Sequence, residues 1–71
     1  MTAQQILAAT SAAHQRARER RTAIDAKYAQ MNTEQPLTDF IALCARQNAY
    51  IAEIQQIIDD ENAEIAAAQS D

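Results

Sequence analysis

The sequence predicts an all-α protein: an antiparallel two-helix hairpin, expected to dimerise into a four-helix bundle with coiled-coil-like packing. Three observations predict it. From Leu37 to Ala68, every seventh residue reads Leu37, Cys44, Ile51, Ile58, Ile65, and a companion row reads Phe40, Gln47, Ile54, Glu61, Ala68. This 3-4 spacing gathers side chains into one stripe along a helix. The 71 residues include no Gly, one Pro and 48% apolar side chains, a composition that favours helix almost throughout. The only turn chemistry, Asn32 to Pro36, lies near the middle of the chain.

The chain is read as one domain, residues 1–71, with a first helix over about 3–31, a turn over about 32–36 and a second helix over about 37–69. Thr2 and Gln5 have the capping-box spacing that starts a helix. The inner row of this helix is Ala3, Thr10, Ala17, Ile24, Met31, bordered by Leu7, His14, Arg21 and Tyr28. Asn32 and Thr33 are candidate N-caps for the second helix, and Pro36 suits its first turn. A turn centred on Glu34 sets Met31 against Leu37, Ile24 against Cys44, Ala17 against Ile51, Thr10 against Ile58 and Ala3 against Ile65. At four of these five levels a larger side chain meets a smaller one, as in well-filled layers. The hairpin core is therefore expected at Ala17, Ile24, Cys44, Ile51, Ile58 and Ile65.

One partner helix does not cover so broad a stripe. Phe40, Leu43, Tyr50, Ile54 and Ile57 form an edge expected to be the dimer interface. A chain this short buries too little surface in one seam to offset the entropy of ordering, which is a second reason to expect self-association. Helix two also carries Ala42, Ala45, Ala49 and Ala52 at small-residue spacing, read as helix-favouring residues on a solvated face.

The net charge is −4 and the pI near 4.7, which argues against a general nucleic-acid coat protein. No cationic leader precedes an apolar core and no apolar run is long enough to span a bilayer, so a cytoplasmic protein is expected. Lone Cys44, within the apolar stripe, is read as a reduced core residue; a reactive thiol would need a nearby base or helix start.

Five of the six basic residues, Arg16, Arg18, Arg20, Arg21 and Lys27, cluster in helix one and are the candidate partner-binding groups. Glu19 and Asp25 lie among them; Asp25 is spaced to pair with Arg21, and the facing register brings Glu53 near Arg16. Arg20 and Arg21 fall opposite Asn48 and Gln47, a polar layer of the kind that fixes register. Asp59, Asp60, Glu61 and Glu64 form an acidic cluster with neither the loop glycine of a calcium site nor the histidines of a transition-metal site. It is read as a solvated face or a docking surface for a basic partner. His14 has no carboxylate within helical reach, and Ser11 with His14 lacks the orienting acid and oxyanion donors that nucleophilic catalysis requires. No enzyme activity, cofactor, metal or small-molecule substrate is expected.

Two long helices, a short turn and a dimeric bundle resemble the repressor-of-primer proteins of plasmids. The likeness is one of architecture, with no shared motif through which a residue is carried over. Small acidic inhibitors encoded by phages and other mobile elements are similar in size and charge. The resulting expectation is a homodimeric interaction module that binds another protein as adaptor or inhibitor. The alternative is a bundle contacting RNA or DNA through the Arg16–Lys27 edge.

Overall fold

The computed structural model describes residues 2–70 and shows two helices and no strand among them: α1, Ala3–Glu34, and α2, Phe40–Gln69. The chain is a helical hairpin. At the start of α1 the Thr2 hydroxyl accepts from the Gln5 amide at 3.2 Å, and the Thr2 amide donates to the Gln5 side chain at 2.8 Å. This reciprocal pair satisfies two amides that the helix itself leaves without partners.

The connection differs from the tight turn expected. Asn32 and Thr33 lie inside α1, where the Thr33 hydroxyl donates to the Ala29 carbonyl at 3.0 Å. Gln35, at φ −131° and ψ 65°, ends α1. The reason is steric: Pro36 disfavours helical dihedrals in the residue before it. The N-cap of α2 is Asp39, whose carboxylate accepts from the Ala42 amide at 2.9 Å; Pro36 and Leu37 precede the helix.

Arg46, in the second turn of α2, reaches across to the end of α1. Its guanidinium donates to the Gln35 carbonyl at 2.9 Å and to the Asn32 side chain at 3.0 Å, with a longer contact of 3.4 Å to the Met31 carbonyl. A cation suits this position, because the last carbonyls of a helix are unpaired and carry partial negative charge. Holding the end of α1 against Arg46 rather than Leu37 shifts the register. Lys27 meets Glu53 and Arg20 meets Asp60, just over three helical turns further along α2 than a turn centred on Glu34 gives.

The seam itself is narrow. Ala13, Ala17 and Tyr28 from α1 are buried, with Ile57 and Ala68 from α2, and Ile57 is the most enclosed large side chain at 2% exposure. Small alanines on α1 let the helices approach, so that Ile57 fills the gap between them. Tyr28 and Tyr50 meet edge to face at 5.2 Å between ring centres, the arrangement favoured by the charge distribution of aromatic rings.

These placements correct the expected core. Cys44 is exposed and Ile51 is 53% exposed, so neither belongs to the hairpin seam; Ile24, Ile58 and Ile65 are half-buried, and Ala17 is buried. Conversely, Ile57 and Tyr50, expected at a dimer edge, face α1. The Cα envelope measures 53 × 18 × 8 Å, a slab two helices wide and one layer thick.

Candidate interaction surface

α2 borders its seam with two unlike flanks. On one side lie Glu53, Asp60 and Glu64, each paired with a base of α1. Lys27 Nζ is 3.0 Å from a Glu53 oxygen, Arg20 is 2.8 Å from Asp60, and Arg16 reaches Glu64 through both Nε and a terminal nitrogen. Each pair is partly solvated and individually weak, but the four-residue and seven-residue spacings align all three along one side. Arg20 and Glu53 also border a shallow hollow of about 290 Å³ beside Ile24 and Ile57.

The pairing shows in the acidities. The Tyr28 hydroxyl, and next the Lys27 ammonium, hold Glu53 below the usual carboxylate range. Arg20, then Gln56, does the same for Asp60, and Arg16 for Glu64. In each case the hydrogen bond favours the charged form. The Tyr50 hydroxyl donates to Asp25 at 2.5 Å, which together with partial burial raises its pKa above the ordinary phenol value.

This arrangement relocates the expected partner-binding groups. Arg16, Arg20 and Lys27 are engaged by α2's own acids, while Arg18 donates to Gln15 at 2.6 Å and Arg21 is exposed. Arg20 faces Asp60, so no Arg20–Asn48 polar layer forms; Asp25 bonds Tyr50, and Glu53 meets Lys27 rather than Arg16. The acidic cluster is correspondingly drawn inward, with only Asp59 of its four members outside these cross-helix pairs among the described residues.

The other flank of α2 is apolar. Phe40, Leu43, Gln47, Ile51, Ile54, Ile58 and Ile65 recur there at 3-4 spacing, with Phe40 77% exposed and Ile51 and Leu43 also open. Exposed Cys44 lies at its outer margin. Glu61 shares the row of Phe40, Gln47 and Ile54, and His14 Nδ1 meets it at 2.5 Å. Carboxylate and imidazole thus come from different helices, a pairing invisible to spacing within α1 alone. No hydrogen bond joins Ser11 to His14 among the described residues. Near the turn the same face contains a hollow of about 380 Å³ lined by Asp25, Tyr28, Asn32, Leu43, Gln47 and Tyr50, among others.

Arg46 is the residue that the sequence pattern did not single out, whereas Tyr28, expected beside the inner row, is buried in the seam. Arg46 stands apart from the basic cluster, and its only signal was a lone cation one register step from a helix end. Neither helix is long and apolar enough to cross a membrane, and no group of metal-ligating side chains occurs among the described residues. No family model, curated protein or solved structure matches the chain.

Proposed function

We propose that this protein is a non-enzymatic interaction module: a homodimeric helical hairpin that binds another protein as an adaptor or inhibitor. The observation that carries the reading is the uncovered apolar flank of α2 on a slab one layer thick. Stable domains bury such a flank against a second layer, and a contiguous apolar patch on a small protein marks a contact surface. Pairing within the hairpin bears against nucleic acid as the main partner. Arg16, Arg20 and Lys27 already have carboxylates beside them, so a phosphate backbone would have to displace Glu64, Asp60 and Glu53.

Affinity-tagged protein recovered from its native host tests the reading, with nuclease treatment and raised salt as the two challenges. A bound protein that survives both is the expected result. Recovery of nucleic acid alone, lost steeply as salt rises, would overturn it.

A further inference from the structure

We infer that the apolar face is covered by a second copy of this chain, with α2 lying antiparallel on the partner's α2 so that Ile51 meets the partner's Ile54. The inference rests on the homodimer reading and adds the orientation and register.

Area favours a second copy. The chain exposes 5189 Å², whereas a compact monomer of 7.8 kDa exposes roughly 4,400 Å² by the usual scaling with mass. The excess, about 800 Å², equals one partner's share of a standard protein interface.

The hairpin's asymmetry then selects the orientation. On the apolar side of the slab, α1 contributes exposed Leu7 near its start and then His14, Arg21 and Asp25, with His14 and Asp25 tied to Glu61 and Tyr50 of α2. Two slabs can stack face to face about a twofold axis in two ways. An axis running along the helices lays each α2 over the partner's α1 and sets isoleucines against that polar side. An axis running across the helices, between the slabs, lays α2 over the partner's α2, and the two are then antiparallel. Only this second arrangement puts apolar flank on apolar flank.

Register follows from the positions of the side chains along this flank. With Phe40 level with the partner's Ile65, Ile51 meets the partner's Ile54 and Gln47 the partner's Ile58. The partner's Ile58 then lies over the hollow beside Gln47 and Tyr50. Glu61, held by its own His14, falls level with the partner's Cys44. Sliding one heptad either way sets Ile51 against the partner's Gln47 or Glu61. It also leaves Ile65 or Phe40 beyond the end of the facing helix.

Spin-label distances test this on the full chain. Asn48→Cys, Gln55→Cys and Asn62→Cys, each in a Cys44→Ser background, place labels at exposed positions outside the apolar row. The two copies of each label should be offset along the helix by about 8 Å at 55, 14 Å at 48 and 29 Å at 62. Measured separations in the order 55, 48, 62 support the inference. Equal separations at all three sites mean parallel helices; that result overturns the arrangement while leaving the homodimer intact. Position 48 shortest, or 62 shorter than 48, means a slipped heptad and overturns the register. Absence of dipolar coupling in fully helical samples overturns the homodimer as well.

Discussion

The two flanks of α2 make opposite contributions. The flank bearing Glu53, Asp60 and Glu64 is satisfied within the chain by Lys27, Arg20 and Arg16. The flank bearing Phe40, Leu43 and Ile51 is left open by α1, with these three side chains 77%, 42% and 53% exposed. Either apolar row of α2, the one through Ile51 or the one through Ile57, could in principle serve as the hairpin seam. The structure uses the one through Ile57, which has acids on its free side where α1 carries bases. Weak solvated ion pairs thus discriminate between alternatives of similar apolar content, although they add little stability themselves. What the charges do not select is left outside as surface.

The sharpest way to separate the flanks is to cut the same side chain on each. Ile57→Ala removes the most enclosed side chain of the seam and should lose about 3 kcal/mol, read by chemical denaturation. Ile51→Glu, on the open flank, should leave the hairpin helical at high concentration but weaken self-association. Loss of about 1.5 kcal/mol per copy corresponds to roughly a hundredfold in the dimer dissociation constant, measured by dilution. If Ile51→Glu unfolds the chain at every concentration and Ile57→Ala does not, the two flanks have been exchanged.

Arg46→Met keeps the side-chain stem but removes the donors that hold the end of α1. A loss of roughly 2 kcal/mol is expected, with faster hydrogen exchange around Met31–Gln35. Acid probes the charged flank most directly. Glu53, Asp60 and Glu64 are all held below their ordinary values, so their contribution is present above the usual carboxylate range and is lost as pH falls through the lowered values. The loss from these three groups should show as a fall in thermal stability below about pH 4. The smallest effect is a charge exchange: Arg20→Asp should destabilise slightly, and adding Asp60→Arg should restore the melting temperature.

The hairpin was legible because the helical spacing of α2, the lack of glycine and the lone turn all point the same way. Its register was not. Pro36 reads equally well as the first residue of a helix or as the breaker before one, and the choice of breaker lengthens α1 to Glu34 and moves the α2 cap to Asp39. That displacement exchanged the Ile51 and Ile57 rows. The heptad pattern marks both rows as apolar without saying which one faces α1. Cross-helix charge pairing could have decided it, since only the displaced connection brings Lys27, Arg20 and Arg16 beside Glu53, Asp60 and Glu64 together. The same shift explains why Arg46, rather than any residue of the basic cluster, holds the turn.

Sedimentation equilibrium of the unmodified chain at micromolar concentration, with circular dichroism on the same sample, tests the central claim most directly. A helical species of twice the 7.8 kDa chain mass is the result expected if the isoleucine flank needs a second layer. A stable, fully helical species of 7.8 kDa would contradict it.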